Sequence, residues 1–502
     1  MKILFYAEPH PIRQSHTNHF WIVSKFLDML EDEFINKKYL HNNVSVRIVA
    51  SRGLHAKIQQ EKDVEVHKHF LIGLTQEENN HILQNFDTSW DDVSIDIWNQ
   101  LMSGEGEVSL FYEKIINRIH KTVFDFDVIV YWGTNGAVRN FAKKNNIPAI
   151  AMELGCTRKP LFDSLYFDFM GVNGSAYTNK IDIESMQDCL TLEEIKEVIP
   201  FTTKYAMQRD ALYTPLATKH RKTIYENIGK NILIPLQLAD DANILQYSKY
   251  SSMKQFLEEI LPVLTGHGFV CYVKPHPGNI YREYNMQDHK EAEEYCKNFS
   301  NVIWIDDVTN EVEYHSLLMK MDAVVVVNSS VGFEAMCFGK IVVQMGKSPY
   351  NLSDALPNIK QLAEGKLDFQ KYQKLITKVV NLLLFHYLTF KDTGFTFAGF
   401  LDNVKYNIDL HRIYHEDKKK FQEKVFICNR IRIDDYFNFP SMKLNGLKKK
   451  NKTVSIEYAS PKLLYVRKMC YTLKMYKIEY YIKKSPFLFK MLKKVKKDFL
   501  HW

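Results

Sequence analysis

A chain of 502 residues is too long for one hydrophobic core, because single cores stop growing at roughly 250–300 residues, so we expect two domains and an appendage. The hydrophobic content of 46% and the charged content of 25% are those of an ordinary globular protein and exclude a disordered chain. The net charge of +7 is unevenly distributed, since residues 441–502 hold 17 Lys and Arg against three Asp and Glu, a local net of +14 that leaves −7 for the rest.

The apolar stretch at residues 2–7 is too short for a secretory signal and predicts a buried strand, so we expect a cytoplasmic protein. The closest approach to a membrane-spanning window, 379–390, contains Asn381 and His386, and no spanning helix is predicted. The seven cysteines are scattered without a CxxC pair or a Cys/His cluster, which predicts reduced core residues and no metal site. They are Cys156, Cys189, Cys271, Cys296, Cys337, Cys428 and Cys470.

Short β-branched runs alternate with helical stretches in two groups. The first group predicts strands at 2–7, 44–50, 128–132 and 149–153, and the second at 231–236, 269–274, 302–305, 323–327 and 341–344. Near-continuous apolar strands separated by helices indicate parallel sheets with both faces covered. The sequence therefore predicts two Rossmann-like α/β domains. The polar segment 201–230 is interpreted as the connector of the two domains, with the boundary near 203–223. The predicted ranges are 1–205 for the N-terminal acceptor domain, 206–420 for the C-terminal donor domain and 421–502 for a helical basic tail.

Two first-domain strands end in residues suited to chemistry. The segment 130–136, VYWGTNG, is a strand ending in a Gly-rich turn, and the segment 149–160, AIAMELGCTRKP, places Glu153 at the end of the next strand. Glu153 can act as a general base or bind an acceptor hydroxyl. The alternative is that it pairs with Arg158 and only orders the loop.

The second domain opens with the segment 232–244, ILIPLQLADDANI, in which Gln237 and the pair Asp240 and Asp241 follow a strand. Adjacent carboxylates repel each other, which can raise one pKa, or one of them caps the next helix while the other is solvated. The pair by itself favours the capping interpretation.

The segment 269–279, FVCYVKPHPGN, is a strand that ends at Lys274 and is followed by a Pro-His-Pro turn. Two prolines fix the backbone around His276, so its imidazole is presented rather than free to rotate. A single His is usually structural or exposed. This one, next to Pro277 at the end of a parallel strand, is well placed to bind a phosphate or a base.

The segment 323–340, AVVVVNSSVGFEAMCFGK, is a buried strand that ends in Asn328 and opens a helix. Ser329 and Ser330 can cap this helix, whose free N–H groups and positive dipole end would face a phosphate at the carboxyl edge of the sheet. Glu334 lies in the first turns and can reach ribose hydroxyls. The alternative is an ordinary helix cap followed by a first-turn acid.

These motifs, taken in chain order, resemble the capsule polysaccharide biosynthesis family, which includes the β-Kdo transferases that make the lipid-linked Kdo linker of bacterial capsules. The resemblance covers about residues 125–345 and consists of Glu-Leu-Gly-x-x-Arg, Gly-Val-Asn173, Gln-x-x-x-Asp, Lys-Pro-His-Pro and Asn-Ser-Ser-x-Gly-x-Glu-Ala. It implies a GT-B fold with two domains facing a cleft, a CMP-activated donor and transfer with retention of configuration.

The resemblance also implies residue roles. Asp241 corresponds to the acidic residue implicated as nucleophile and Gln237 to its partner, while His276 and Pro277 correspond to the motif that holds the cytidine phosphate. The competing candidate for the nucleophile is Asp240, with Asp241 then capping the following helix. Glu153 falls where the family has a catalytic acid/base or an acceptor-binding carboxylate. We add Lys274, Asn328, Ser329, Ser330 and Glu334 to the predicted donor site, and Arg158 and Asn173 to the predicted acceptor side or its loop.

The tail has a different predicted role. Residues 462–497 interleave Leu, Tyr, Met and Phe with Lys and Arg, a basic amphipathic composition suited to an anionic membrane surface. Nucleic acid is the rival partner, but no nucleic-acid module accompanies the basic residues and the remaining chain is acidic. We therefore expect peripheral attachment at the inner face of the inner membrane and no nucleic-acid partner.

The resulting hypothesis is a glycosyltransferase that moves Kdo or a related acidic sugar from a CMP donor to a lipid-linked or glycan acceptor in capsule or lipopolysaccharide biosynthesis. No metal and no cofactor other than the donor substrate is expected. A UDP-sugar GT-B transferase or a sugar-nucleotide 2-epimerase is the second enzyme hypothesis, because the helix start at Ser329 suits those as well. A non-catalytic, membrane-bound export scaffold is the third.

Overall fold

The computed structural model describes residues 1–7, 20–35, 43–50, 52–61, 69–86, 92–158, 162–187, 190–191, 230–306, 311–352 and 355–427. The predicted domain boundary near 203–223 and the tail beyond residue 427 lie outside these residues. Both therefore stay predictions.

The described residues form two sheets and their covering helices. The strands are β1 (Lys2–Tyr6), β2 (Ser45–Ala50), β3 (Leu71–Gly73), β4 (Val128–Trp132), β5 (Ala149–Leu154), β6 (Ser164–Asp168), β7 (Asn231–Pro235), β8 (Val270–Lys274), β9 (Val302–Trp304), β10 (Ala323–Val326), β11 (Ile341–Gln344) and β12 (Thr389–Phe390). The helices are α1 (Phe20–Ile35), α2 (Arg52–Glu61), α3 (Gln76–Asn85), α4 (Asp92–Ser103), α5 (Gly106–Thr122), α6 (Gly136–Asn145), α7 (Ala242–Tyr247), α8 (Met253–Gly266), α9 (Glu283–Cys296), α10 (Glu311–Lys320), α11 (Ser330–Cys337), α12 (Ile359–Ala363), α13 (Phe369–Asn381), α14 (Lys391–Gly394), α15 (Phe397–Glu416) and α16 (Lys418–Val425).

The first sheet has the strand order β12-β6-β5-β4-β1-β2-β3. Strands β1 to β5 pair in parallel, whereas β6 is antiparallel to β5 and β12 is antiparallel to β6. All four strands predicted in this half are confirmed to within two residues. Strands β3, β6 and β12 were not predicted.

The second sheet has the order β11-β10-β7-β8-β9, and all its pairs are parallel. Its five strands are those predicted from the sequence, again to within two residues. In both sheets the first strand in sequence lies inside the sheet, with later strands on both sides of it. This is the doubly wound arrangement, which places ligand sites at the carboxyl ends of the strands. The predicted α/β class with two Rossmann-like domains is confirmed.

Each sheet has its own hydrophobic core. Side chains of β1, β2, β4, β5 and β6 pack against α1 in the first core, and those of β7, β8 and β10 pack against α8 in the second. Phe400 and Val404 of α15 belong to the first core, and β12 pairs with β6. The chain thus returns to the first sheet before residue 420, a difference from the predicted second-domain range of 206–420.

The apolar window at 379–390 is part of this return. Residues Leu382–Tyr387 form a π-helical turn whose side chains are all buried, so their apolar character reflects a protein interior. Among the described residues, no helix is both long and apolar enough to span a membrane.

Cys156, Cys271, Cys296 and Cys337 are buried free thiols, while the other three cysteines lie outside the described residues.

Candidate active site

A cleft of about 450 Å³ lies where the carboxyl ends of strands from both sheets meet. All twelve residues that the sequence predicted for the site line it, namely Glu153, Arg158, Asn173, Gln237, Asp241, Lys274, His276, Pro277, Asn328, Ser329, Ser330 and Glu334. Their convergence follows from strand direction, because parallel strands deliver their carboxyl ends to one edge of a sheet. Their chemical roles stay predictions.

The adjacent acids after β7 have different environments. Asp241 is the N-cap of α7, and its Oδ1 accepts a hydrogen bond of 2.8 Å from the Asn243 backbone N–H. Asp240 is fully buried and forms an ion pair of 2.7 Å with Arg282, whose side chain is only 16% exposed. The capping alternative for Asp241 is therefore correct as geometry, although Asp241 also lines the cleft. The expectation that the other acid is solvated is wrong, because Asp240 is paired inside the domain.

Gln237 and Asn328 fasten the ends of β7 and β10 to each other. Gln237 Nε2 donates to Asn328 Oδ1 at 2.9 Å, and the Asn328 backbone N–H donates to Gln237 Oε1 at 3.0 Å. Asn328 Nδ2 in turn donates to the Asn243 carbonyl oxygen at 2.8 Å. Because both amides are engaged in this pair, they fix the floor of the cleft and the start of α7.

Lys274, the last residue of β8, brings a positive charge to the cleft. Its Nζ lies 3.4 Å from the Pro275 carbonyl oxygen and 5.7 Å from the centre of the Tyr314 ring. Burial lowers the pKa of this amine to about 8. Among the described residues, no carboxylate lies within 4.0 Å of the amine. Its charge is thus available to an anionic ligand.

The turn after β8 fixes the orientation of His276. The Gly278 backbone N–H donates to His276 Nδ1 at 3.0 Å, while the His276 backbone N–H donates to His289 Nε2 at 3.2 Å. Burial lowers the pKa of the His276 imidazole to about 4, with Asp241 opposing the shift and Lys274 adding to it. The ring is neutral at pH 7, and since Nδ1 is an acceptor, Nε2 carries the proton. His276 is therefore a hydrogen-bond donor to the cleft.

The turn between β10 and α11 forms the opposite wall. Ser329 is the N-cap of α11, accepting a hydrogen bond of 3.3 Å from the Val331 backbone N–H, and its carbonyl oxygen accepts one from the Tyr350 hydroxyl. A Cβ at Gly332 would lie 2.5 Å from the same hydroxyl oxygen, so only glycine allows this approach. Glu334, one turn later, is only 2% exposed and borders the cleft.

The first domain contributes the acid at the end of β5. Glu153 Oε1 accepts a hydrogen bond of 2.7 Å from the backbone N–H of Leu154. The Arg158 guanidinium donates to the carbonyl oxygen of Gly155 and, at 2.8 Å, to that of Thr157. Arg158 thus orders its own loop, while Glu153 faces the cleft across from the second domain.

Asn173 occupies a turn that buried side chains hold in place. Its φ of +53° is in the left-handed region, and its side chain and backbone both bond to the Tyr166 hydroxyl at 3.0 Å. Asp168, at the end of β6, accepts hydrogen bonds from the backbone N–H groups of Met170 and Tyr177 and from the Tyr387 hydroxyl. Burial raises the pKa of Asp168 to about 7, although these hydrogen bonds act in the opposite direction and lower it.

This turn also contacts the second domain. The Ser175 hydroxyl donates to the Tyr247 hydroxyl oxygen at 3.1 Å, and Asn179 Nδ2 donates to the Ser348 carbonyl oxygen at 3.2 Å. A Cβ at Gly174 would lie 2.5 Å from the Tyr247 ring. The two halves of the cleft are therefore in direct contact at this side.

Sequence reasoning missed several cleft residues. Tyr166, Tyr314 and Tyr350 line the site. None of these tyrosines belongs to the strand-end motifs from which the site was predicted. Burial raises the pKa of all three hydroxyl groups well above the usual value, so they are neutral donors. The described residues contain no group of three or more His, Cys, Asp or Glu side chains able to hold a metal ion.

Two doubly wound sheets whose carboxyl ends share one cleft define the GT-B class of α/β proteins, as expected from the sequence. Residues 191–389 match the family "Capsule polysaccharide biosynthesis protein", and residues 5–177 match the family "Glycosyltransferase 99 family N-terminal domain". The resemblance to the glycosyltransferase-like proteins of capsule polysaccharide biosynthesis is thus confirmed. No curated protein matches the chain.

Remote similarity to solved structures accompanies these matches. The β-Kdo 2,7 transferase of Thermosulfurimonas dismutans KpsC is 18% identical, with 60% of this chain and 90% of that chain covered and a TM-score of 0.32. The β-Kdo 2,4 transferase of the same protein is 18% identical, with 53% and 81% covered and a TM-score of 0.33. UDP-GlcNAc 2-epimerase from Neisseria meningitidis is 14% identical, with 76% and 94% covered and a TM-score of 0.31.

Proposed function

We propose that the cleft binds a nucleotide sugar and that the protein transfers the sugar to a lipid-linked or glycan acceptor in capsule or lipopolysaccharide biosynthesis. The observation that carries this proposal is Lys274, a largely buried amine in the cleft with no carboxylate partner among the described residues. A donor phosphate supplies the missing negative charge. The α11 N-terminus and the Nε2–H of His276 add donors on the same side.

The donor is proposed to be a CMP-activated acidic sugar such as Kdo. Support comes from the Gln237-x-x-x-Asp241 and His276-Pro277 motifs, which lie in one cleft and belong to the region matched by the capsule polysaccharide family. No metal or separate cofactor is required in this proposal, because Lys274 and His276 stabilise the leaving phosphate.

Transfer with retention needs two displacements. In the first, an Asp241 carboxylate oxygen attacks the anomeric carbon, the bond from that carbon to the phosphate oxygen breaks, and CMP leaves with the electron pair. In the second, the acceptor hydroxyl attacks the same carbon, its proton passes to Glu153, and Asp241 is released as carboxylate. Asp241 Oδ1 is engaged in the helix cap, and Oδ2 makes no hydrogen bond among the described residues, so Oδ2 is the proposed attacking atom.

Calorimetric titration with CMP, UDP and GDP tests the proposal. CMP should bind most tightly, and His276→Ala and Lys274→Met should each weaken CMP binding while Lys366→Met, a change at an exposed surface lysine, should not. Tighter binding of UDP would favour the UDP-sugar transferase or epimerase hypothesis. If no nucleotide binds, the enzyme proposal fails and the membrane-bound scaffold becomes the better hypothesis.

The proposed location is the cytoplasmic side of the inner membrane. Its support is the composition of the basic tail, with an anionic lipid surface as the expected partner.

A further inference from the structure

An aromatic cluster lies at the carboxyl edge of the first sheet. Trp132 is the last residue of β4, and Trp21 is the second residue of α1. Their rings meet at 90° with centroids 5.2 Å apart, and the Phe395 ring lies 6.4 Å from that of Trp21. Trp21 is 38% exposed, whereas Trp98 is buried. We call Trp21, Trp132 and Phe395 the tryptophan corner.

A cation lies over this corner. Lys391 Nζ is 5.4 Å from the centre of the Trp21 ring. The Lys391 backbone N–H donates to the Asp163 carbonyl oxygen at 2.9 Å, which anchors the residue beside β6. No carboxylate among the described residues forms an ion pair with its amine. A flat apolar face and an available positive charge therefore occur together at the surface.

The corner lies at the same edge of the first sheet as Glu153, the acid proposed to activate the acceptor. Gly133 follows Trp132 directly and has a φ of +71°, a conformation that favours glycine. A Cβ at this position would lie 3.5 Å from Glu153 Oε2. The backbone that leaves Trp132 thus passes next to the Glu153 carboxylate, and the corner and this acid lie at the same carboxyl edge of the first sheet.

A saccharide fits these features better than a protein or a membrane. A pyranose has an apolar C–H face that packs on a flat aromatic ring, and its acidic substituent pairs with a nearby cation. A stable protein interface buries about 800 Å² on each partner, far more than one exposed tryptophan offers. A single lysine likewise contributes only about 1 kcal/mol at an anionic membrane surface.

We propose that Trp21, Trp132 and Lys391 bind an anionic saccharide of the acceptor, with one pyranose on the tryptophan corner and its carboxylate or phosphate facing Lys391. This inference rests on the proposed glycosyl transfer and adds the class of acceptor and the residues that hold it. These are binding residues, and the reacting hydroxyl lies further along the acceptor, at Glu153.

Binding to an array of uronic-acid-containing, phosphorylated and neutral oligosaccharides tests the site. The wild-type protein should bind the acidic members, and Trp21→Ala should reduce that binding by about ten-fold or more, as expected when over 1.4 kcal/mol is lost. Trp21→Phe should retain part of the binding, and Lys391→Gln should remove the preference for acidic members. Phe369→Ala, a matched change at another exposed aromatic residue, should leave binding unchanged. Thermal melting of each variant controls for folding.

Three outcomes overturn the proposal. The first is that the wild-type protein binds no acidic oligosaccharide, and the second is that Trp21→Ala behaves like Phe369→Ala. The third is that Trp21→Ala loses binding to phosphatidylglycerol vesicles but keeps binding to oligosaccharides, which would assign the corner to a membrane. CMP titration of the same variants separates this inference from the proposed function: Trp21→Ala should bind CMP as the wild type does, and a wild type that binds no nucleotide refutes the proposed function itself.

Discussion

Asp241 combines two tasks at a single residue, and the two can be separated by substitution. As N-cap of α7 it stabilises the helix through Oδ1, and as the proposed nucleophile it attacks through Oδ2. Asn caps helices about as well as Asp, whereas Ala costs about 1 kcal/mol of stability. Asp241→Asn should therefore abolish transfer at wild-type stability, and Asp241→Ala should abolish transfer and lower the melting temperature. Intact-protein mass spectrometry with donor and no acceptor should show one added sugar on the wild type and none on either variant.

The control for Asp241 is Asp368→Asn, because Asp368 caps α13 in the same way outside the cleft. Asp240→Asn, although adjacent, is a poor control. It leaves Arg282 without its buried anion, a change that costs roughly 3–5 kcal/mol. A sugar adduct that persists in Asp241→Asn, or a product of inverted configuration, would refute the double displacement.

Lys274 predicts a pH dependence of nucleotide binding. Burial lowers its pKa to about 8, and a bound phosphate would raise that pKa again. CMP affinity should therefore fall as the pH rises from 7 to 9, by about two-fold at pH 8 and about ten-fold at pH 9, as the free amine loses its proton. Calorimetry at pH 7, 8 and 9 measures this fall, and Lys274→Arg should abolish it because guanidinium stays charged. A fall that persists in Lys274→Arg would assign the titration to another group.

At the residue scale the sequence predicts best those side chains that stand next to a strand end. Glu153, Asp241 and His276 were predicted to meet because each comes within a few residues of a strand's carboxyl end, and all three line one cleft. The environment of Asp240 was not predictable in this way, since its partner Arg282 is distant in sequence. The same holds for the buried tyrosines of the cleft, whose positions depend on tertiary packing.

At the scale of secondary-structure elements, the apolar pattern of the sequence predicts the long buried strands correctly and misses the short or antiparallel ones. Nine apolar, β-branched runs gave nine confirmed strands, because buried parallel strands have little other composition available to them. Strand β3 has three residues and β12 has two, too few for a periodic signal. Strand β6, with the sequence SLYFD, comes after β5 by a short connection and pairs antiparallel, which the expectation of purely parallel sheets did not include.

Helix α11 packs closely against Tyr350 of the cleft only because residue 332 is a glycine. At Gly332 a Cβ would lie 2.5 Å from the Tyr350 hydroxyl oxygen, whereas a Cβ at Gly266, the last residue of α8, would meet nothing within 4 Å. Gly332→Ala should lower stability by about 1–3 kcal/mol through overpacking and weaken CMP binding, and Gly266→Ala should raise stability by about 0.5–1 kcal/mol. Chemical unfolding measures both changes. Equal effects would mean that Tyr350 does not constrain α11.

At the scale of the whole molecule, charge is divided between two parts of the chain. Residues 441–502 carry +14 and the preceding 440 residues carry −7, so the two parts have opposite expected affinities for an anionic surface. The part with a negative net charge contains both sheets and all the described residues that line the cleft. If the basic segment serves only membrane attachment, removing it should abolish membrane binding and leave nucleotide binding and sugar transfer unchanged.

A chain ending at Phe439 tests this division. Each Lys or Arg near an anionic surface contributes about 1 kcal/mol, and salt screens this attraction over about 8–10 Å at physiological ionic strength. The 502-residue chain should sediment with phosphatidylglycerol vesicles at low salt and dissociate in high salt, whereas the shortened chain should stay in solution under both conditions. The shortened chain should also bind CMP with unchanged affinity, because every described cleft residue precedes position 351. A second variant, in which Lys493, Lys494, Lys496 and Lys497 are replaced by Gln, should show reduced vesicle binding with the chain length kept. Sedimentation of the shortened chain with vesicles would assign membrane attachment to the first 439 residues instead.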